Sequence, residues 1–223
     1  AQNISKKTKT EIEDLLQGAS LAYISTYADE IKSDDRYKAF NSWHYANMKL
    51  DENYESSKKN SKGDIIKAID KCIQVLKSKT ASKEDNQFYL KLLVHFIGDL
   101  HQPLHLGMKE DLGGNKIQIK WFSKSSNLHR LWDSDMINSS QLSYTELANN
   151  LPVLSEIQKQ EIVSSSISIW IDETHAITNK IYKGLPKERN LGYRYRYENF
   201  DTIRLQLLKA GIRLAFVLDD IFK

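Results

Sequence analysis

The chain has 223 residues, 40% of them apolar and 27% charged, which is the size and composition of one ordinary domain with a real core. Its 32 basic and 29 acidic residues leave a net charge of +3, which excludes nucleic-acid binding through bulk charge and leaves only a local site. The single cysteine, Cys72, excludes an intrachain disulfide and a multi-thiolate zinc site. No stretch approaches the roughly 18 apolar residues of a membrane span. We expect no signal peptide in the polar first residues, an expectation that leaves the location open because a mature exported protein would also lack one.

The chain reads as mostly helical, with one small β element. The spacing of apolar residues predicts helices over residues 8–17, 19–33, 63–79, 82–105, 127–137, 155–181 and 200–222. Ser82 is the expected N-cap of the fourth of these, Pro103 should end or kink it, and Cys72 should lie in the core. The segment LGGNKIQIKW (112–121) predicts a turn followed by a short strand. We therefore predict an all-α fold, with a single mostly helical domain over residues 1–223 and a small β-hairpin.

Histidines and aspartates interrupt apolar stretches of the chain. The segment LLVHFIGDLHQPLH (92–105) alone holds three of the six histidines. His95 and Asp99 are four residues apart, so on a helix they share one face, and His129 and Asp133 repeat that spacing. Such a pair can chelate a metal ion or make one ordinary hydrogen bond, and the second interpretation explains each pair singly. Histidine and aspartate without cysteine are ligands suited to a hydrolytic zinc site.

The motifs YADEI, WHYAN, LLVHFIGDLHQPLH, GGNKIQI and NLHRLWD resemble, in this order, those of the zinc-dependent single-strand nucleases typified by the fungal and mung-bean enzymes. The resemblance runs from about residue 20 to residue 137, and the C-terminal helices carry weaker motifs. It implies the mostly helical fold of zinc phospholipase C and the single-strand nucleases. It also implies three clustered zinc ions.

The resemblance also implies which residues hold zinc. The matching positions for one ion are Asp29, His44, His95 and Asp99, with Asp99 bridging to a second ion, and those for the remaining ion are His105, His129 and Asp133. His101 matches no ligand position, so we interpret it as a structural residue or one that orients a ligand.

The start of the chain departs from the family pattern. In the family, the bridged zinc is also held by an N-terminal tryptophan and a nearby histidine, whereas this sequence begins AQNISKK and its first histidine is His44. We expect that the N-terminal metal-binding segment is absent from the sequence as given. The alternative is that this third site is degenerate.

The implied activity is zinc-dependent hydrolysis of single-stranded DNA and RNA, and of 3′-nucleotides, to 5′-phosphate products. Lys32 stands where the family commonly carries an arginine that neutralises charge in the transition state, although it could also be a solvated surface lysine. Tyr45 matches an aromatic position that stacks on a base, with a core aromatic as the alternative. Asn47 matches a carboxylate position that hydrogen-bonds the base.

Other features leave alternatives open. The run YRYRYENF (193–200) could contact a nucleic-acid backbone, although a solvated packing segment is the more common role of such a run, and His175 is expected to be a satisfied histidine. The rival functions are a phospholipase C-like phosphodiesterase and a non-catalytic binding protein with a degenerate cluster. The expected partner is single-stranded nucleic acid or a nucleotide, with no partner protein. A secreted or periplasmic location is implied by the resemblance alone.

Overall fold

The computed structural model of the protein describes residues 4–222. They are mostly helical, with a small three-stranded sheet, which confirms the expected fold class. The described residues fall into two compact units: one comprises the residues up to Ala46, Lys59–Asp99 and those from Ala210 onward, and the other comprises Asn47–Lys58 and Leu100–Lys209. That residues 1–223 form a single domain stays a prediction.

The first unit is built from helices and 3₁₀ turns. Its elements are α1 (Lys6–Leu15), α2 (Leu21–Ile24), α3 (Tyr27–Glu30), 3₁₀ segments at Ile31–Ser33 and Asp35–His44, α4 (Ile65–Leu76), and α5 (Lys83–Leu100), which ends one residue into the second unit. Asp64 caps α4 by accepting from the amides of Ile66 and Lys67. Cys72 is fully buried on α4, as predicted. Ser82 accepts from the Asp85 amide at 3.0 Å, which confirms the expected start of α5.

The second unit holds the strands and the remaining helices. A 3₁₀ turn at Pro103–Leu106 follows α5, as Pro103 predicts, and Leu131–Asp135 forms a π-helical turn. The other elements are β1 (Gln118–Trp121), β2 (Lys124–Asn127), α6 (Leu128–Arg130), α7 (Met136–Asn138), α8 (Tyr144–Asn149), α9 (Glu156–Ser164), α10 (Ile167–Gly184), β3 (Asn190–Leu191) and α11 (Tyr193–Phe222), whose last residues belong to the first unit.

The sheet has the order β2-β1-β3. β1 and β2 form the predicted antiparallel hairpin, with Ile119 opposite Ser126, and β3 adds to β1 in parallel, with Trp121 opposite Leu191. Ile119 and Trp121 face a hydrophobic core that also takes residues from α6, the π turn, α10 and α11. The hairpin therefore has one face anchored in the core, and β2 leads directly into α6, which carries His129.

Two predicted helices were wrong as single elements. Residues 19–33 form α2, α3 and a 3₁₀ turn, and residues 155–181 divide into α9 and α10. In both cases a serine occupies the break: the Ser25 hydroxyl donates to the Ala22 carbonyl, and the Ser165 hydroxyl donates to the Ile162 carbonyl. Short hydroxyl side chains compete with the helical backbone in this way, and apolar periodicity does not register that competition.

Candidate functional site

The first candidate group lies within the first unit and combines residues from three elements. Asp29 is on α3, His44 ends the Asp35–His44 segment, and His95 lies on α5, so that one ligand atom of each lies within 4.8 Å of the others. His44 Nδ1 and His95 Nε2 are 3.1 Å apart. Asp99, one turn after His95, places Oδ2 2.8 Å from His44 Nδ1 and 3.0 Å from His95 Nε2. The structure thus brings together all four residues that the resemblance assigns to one zinc.

The backbone sets the orientation of His95. Its Nδ1 lies 2.6 Å from the Ser25 carbonyl oxygen, which can only accept, so Nδ1 carries the hydrogen. In a neutral ring, Nε2 therefore presents a lone pair toward His44 Nδ1 and the Asp99 carboxylate. Burial alone would lower the pKa of His95, but the hydrogen bond to Asp99 and its charge raise that pKa to about 9. Convergent acceptors of this kind need either protons or a cation between them.

The pKa of His44 shifts in the opposite direction from that of His95. It is only 3% exposed, and burial lowers its pKa although Asp99 acts in the opposite direction. Asp29 Oδ1 lies 3.7 Å from the ring nitrogens of both histidines, and more than half of its side chain is exposed. The group therefore has a buried imidazole on one side and a solvent-facing carboxylate on the other.

Lys32 lies beside this group. Its Nζ donates to Asp29 Oδ1 at 2.6 Å, and its side chain is partly exposed. The ammonium is therefore attached to a candidate ligand, and it keeps one positive charge at the solvent side of the group.

The second candidate group lies within the second unit. One ligand atom of each of His105, His129 and Asp133 lies within 4.8 Å of the others. The two imidazole rings stack at 5.1 Å with an interplanar angle of 18°, and His105 Nε2 is 3.8 Å from Asp133 Oδ1. Asp133 belongs to the π-helical turn, a local distortion that is frequent at functional sites. The structure thus also brings together the three residues assigned to the other zinc.

A tight loop orients His129. The loop has three consecutive residues with positive φ, Leu112, Gly113 and Gly114. His129 Nδ1 donates to the Gly113 carbonyl at 2.8 Å, which leaves Nε2 as the ligand atom. Gly113 has no room for a side chain, because a Cβ there would lie 2.4 Å from the Leu104 carbonyl oxygen.

A hydrogen-bonded chain holds the same loop from α10. The Tyr182 hydroxyl donates to Asp111 Oδ1 at 2.9 Å, and the same oxygen accepts from the Gly114 amide at 2.8 Å. Burial and the Asp111 carboxylate raise the pKa of Tyr182, so its hydroxyl remains a donor. This chain of bonds fixes the loop whose carbonyl faces His129.

Both groups fit a divalent cation that prefers nitrogen and oxygen ligands. Each contains two imidazoles and at least one carboxylate, and in each group one imidazole has its other ring nitrogen bound to a backbone carbonyl. Structural and catalytic zinc sites use such ligands, and a main-chain carbonyl is a common orienting partner. In each group the ligand atoms lie close enough together to hold one cation.

Three other residues singled out in the sequence belong to neither candidate metal group. Tyr45, which follows His44 directly, is 39% exposed, and Asn47 is half-buried. His101 is buried and tilted against Trp170, while its carbonyl accepts from Gln206 Nε2. Roles for Tyr45 and Asn47 in base binding stay predictions.

His175 is buried, and each of its ring nitrogens lies within hydrogen-bond distance of a main-chain carbonyl oxygen, which agrees with the expected structural role. Its two ring nitrogens lie 3.1 Å from the Leu106 carbonyl oxygen and 3.0 Å from the Lys49 carbonyl oxygen. It belongs to neither candidate metal group among the described residues.

Sequence reasoning missed the residues that support the ligands. Ser25 and Gly113 act through main-chain carbonyls, which leave no side-chain signal. The paired glycines of LGGNK indicated a turn but not its role. Asp111 and Tyr182 are 71 positions apart, and no local pattern connects them.

None of the described helices is both long enough and apolar enough to cross a lipid bilayer.

Comparisons with known proteins identify relatives of the whole chain. The model of the S1/P1 nuclease family matches residues 1–223. Endonuclease 2 of Arabidopsis thaliana is 26% identical, over 99% of this chain and 84% of its own length. Endonuclease 3 of the same plant is 30% identical, over 91% of this chain and 76% of its own length. Nuclease S1 of Aspergillus oryzae is 29% identical, over 97% of this chain and 85% of its own length. The chain therefore belongs to the S1/P1 nuclease family, a family of endonucleases that hydrolyse phosphodiester bonds.

Proposed function

We propose that the chain is a zinc-dependent nuclease that cleaves single-stranded DNA and RNA, and 3′-nucleotides, to products with a 5′ phosphate. The observation that carries the proposal is the pair of compact histidine–aspartate groups in a chain of this family. The proposed zinc ligands are Asp29, His44, His95 and Asp99 in one group and His105, His129 and Asp133 in the other. When bound, zinc supplies a Lewis acid for phosphate oxygens and lowers the pKa of water toward 7.

The protein's own groups have distinct proposed roles. The Ser25 carbonyl accepts the Nδ1 hydrogen of His95, and the Gly113 carbonyl accepts that of His129. Each ring is therefore proposed to offer its Nε2 lone pair to the metal. Asp99 is proposed as a ligand of the first group, which its contacts with His44 and His95 support, and its sharing with a second ion is proposed from the family resemblance alone. Lys32 is proposed to supply positive charge as negative charge develops on the phosphate, and its contact with Asp29 supports this role.

Substrate recognition is proposed to involve Tyr45 and Asn47. An exposed phenol ring can stack on an unpaired base without reading its identity, which favours single strands. The amide of Asn47 can both donate and accept, so we expect a base preference unlike that of relatives with a carboxylate there. Cleavage rates on the four homopolymers measure that preference, and equal loss of all four rates in Asn47→Ala would contradict a role in base choice.

The first experiment is a zinc count by elemental mass spectrometry on protein purified without chelator. Two or three ions per chain are expected, because the seven residues account for two of the three ions that the family resemblance implies. No bound zinc, even after zinc is added back, would contradict the proposal.

The second experiment compares Asp99→Asn with Asp172→Asn. Asp172 is an exposed aspartate of α10 outside both groups, so its variant controls for the lost charge. Asp99→Asn should lower zinc content and reduce cleavage of a single-stranded 20-mer by about 100-fold or more, while Asp172→Asn should change neither. Hydrolysis of phosphatidylcholine in the same series would instead indicate a phospholipase C-like enzyme.

Lys32→Ala tests the charge role separately. It should lower kcat and leave the zinc count intact, and an unchanged kcat would refute the role.

Family membership supports a secreted or periplasmic location. Fractionation of the source cells tests it, and recovery of the protein only with the cytosol would refute it.

A further inference from the structure

Three aromatic side chains stand exposed beside one another in the second unit. Phe122, at the hairpin turn, is 38% exposed, while Tyr193 and Tyr197, on α11, are 77% and 87% exposed. The aromatic–basic surface is our name for these residues together with three exposed basic residues: Lys120 and Lys124, on either side of the hairpin turn, and Arg189, whose carbonyl accepts from the Lys120 amide. Apolar rings left this open to water generally mark a place where something binds.

The rings are held in position by the fold. Phe122 meets Tyr193 edge to face at 4.7 Å, and it meets the buried Trp121 in the same way at the same distance. Phe122 and Ser123 both have positive φ, which turns the hairpin so that the Phe122 ring faces α11. A Cβ at Gly192 would lie 3.5 Å from the Phe122 ring, so the ring rests against the backbone at the start of α11. The Phe122 ring is therefore held in place with the Tyr193 ring against it, and Tyr197 lies one helical turn after Tyr193 on the same side of α11.

The rings belong to two stretches of the chain that are rich in basic residues. Residues 118–127 and 187–198 contain six basic and two acidic side chains, a net charge of +4, whereas the whole chain has +3. Arg194 is paired with Glu198, and Arg196 lies over the Phe200 ring. By contrast, no carboxylate among residues 4–222 lies within ion-pair distance of Lys120, Lys124 or Arg189. The surface thus presents unpaired cations beside flat apolar rings.

We propose that the aromatic–basic surface binds single-stranded nucleic acid, as a subsite for nucleotides beyond those at the cleaved bond. Exposed rings stack on unpaired bases of any identity, and unpaired cations attract the phosphates between them. This inference rests on the proposed function, since it concerns the same substrate.

The position of the surface in the chain suits that role. Lys124 begins β2, which leads into α6, and His129 is five residues farther along, so the Cα atoms of the two residues are at most about 18 Å apart. That distance corresponds to about five nucleotides at the spacing of one duplex strand. Because the proposed subsite takes nucleotides beyond those at the cleaved bond, it should affect the cleavage of long strands and not that of dinucleotides.

The test measures kcat/KM on a single-stranded 20-mer and on a dinucleotide, and uses their ratio. Tyr193→Ala should lower the ratio about five- to tenfold, the effect of losing one stacked base. Tyr144→Ala is the matched control, since Tyr144 is 76% exposed on another helix, and it should leave the ratio unchanged. Lys120→Glu, on an exposed strand position, should also lower the ratio and reduce the salt dependence of 20-mer binding to the zinc-stripped protein.

The outcomes separate this inference from the proposed function. If the zinc-loaded parent protein cleaves neither substrate, the proposed function fails. If it cleaves both and the ratio stays unchanged in folded Tyr193→Ala and Lys120→Glu, the subsite is refuted. Loss of binding to phosphatidylserine vesicles in these variants, with the cleavage ratio unchanged, would assign the surface to lipid and likewise overturn the inference.

Discussion

Gly113→Ala should destabilise the fold and displace the loop that orients His129. Gly113 has a φ of +61°, where an alanine is strained by about 1–2 kcal/mol. The new Cβ would also lie 2.4 Å from the Leu104 carbonyl oxygen, whereas an ordinary contact starts near 3.4 Å. The loop must therefore retreat by about 1 Å, and a displacement of that size at a positioned group can reduce activity by about 100-fold.

The displacement should appear as weaker zinc binding. The Gly113 carbonyl accepts the Nδ1 hydrogen of His129, and loss of such an orienting partner lowers metal affinity by about 10- to 100-fold. Competition with a chromogenic chelator measures that affinity, and urea denaturation of the zinc-free protein measures the free energy of unfolding. We expect a total destabilisation of about 3 kcal/mol or more, from the strain and the clash together.

Gly18→Ala is the matched control. Gly18 also has a positive φ, +87°, but a Cβ there would have no atom within 4 Å. This variant should show the strain of about 1–2 kcal/mol alone and unchanged zinc affinity. If Gly113→Ala proves no more destabilising than Gly18→Ala and binds zinc as tightly as the parent, the orienting role of the loop is refuted.

Further predictions concern the cores and the caps. Burial raises the pKa of the fully buried Cys72 thiol, so Ellman's reagent should label it only as fast as the protein unfolds, and immediate labelling of native protein would contradict its placement. Tyr195→Phe should lower the free energy of unfolding by about 1–3 kcal/mol, because Trp132 Nε1 loses its acceptor; calorimetry measures this, and an unchanged melting temperature would count against it. Burial also raises the pKa of Tyr195 to about 12 from 10, so its contribution to stability is full below pH 10 and is lost as the pH rises through 12; absorbance at 295 nm should show one fewer late-ionising tyrosine in Tyr195→Phe than in the parent, in which Tyr182 also ionises late. Asp64→Ala should destabilise by about 1–2 kcal/mol through the loss of the α4 cap, whereas Asp64→Asn should retain most of it; equal losses in both would indicate that the charge, not the cap, matters.

Much of the candidate site could be predicted because its ligands are side chains in short motifs. His95 and Asp99 lie one turn apart on α5, as their spacing predicted. His129 and Asp133 also lie close together, although a π-helical turn and not a regular α-helix connects them. The grouping of Asp29 and His44 with His95 came from the resemblance alone, since local periodicity does not indicate which distant segments meet.

The parts that could not be predicted depend on the backbone. In a continuous helix over residues 19–33, the Ser25 carbonyl would accept from the amide of Asp29. The helix instead breaks there, and the Asp29 amide donates to the Thr26 carbonyl. The Ser25 oxygen is thereby left to face His95. The wrong helix prediction and the missed orienting contact thus have the same cause.

The run YRYRYENF shows why the alternatives for a sequence pattern could not be separated beforehand. Tyr195 is buried and binds Trp132, whereas Tyr193 and Tyr197 on the same helix are exposed. The same stretch therefore contributes one tyrosine to the core and two to the protein surface. Its position at the start of α11, seven residues before the predicted helix, was not visible because alternating arginine and tyrosine carry no clear apolar period.

The main-chain carbonyls that orient His95 and His129 place different constraints on the amino acids that positions 25 and 113 tolerate during evolution. A carbonyl oxygen belongs to every amino acid, so the contact with His95 places no demand on the side chain at position 25 beyond one compatible with the helix break. At position 113 the side chain itself is constrained, because only glycine tolerates both the positive φ and the closeness of the Leu104 carbonyl oxygen. The two orienting contacts therefore constrain their codons unequally: position 25 needs a residue compatible with the helix break, whereas position 113 needs glycine. A library randomised at both positions and selected for activity should recover many residues at 25 and glycine at 113.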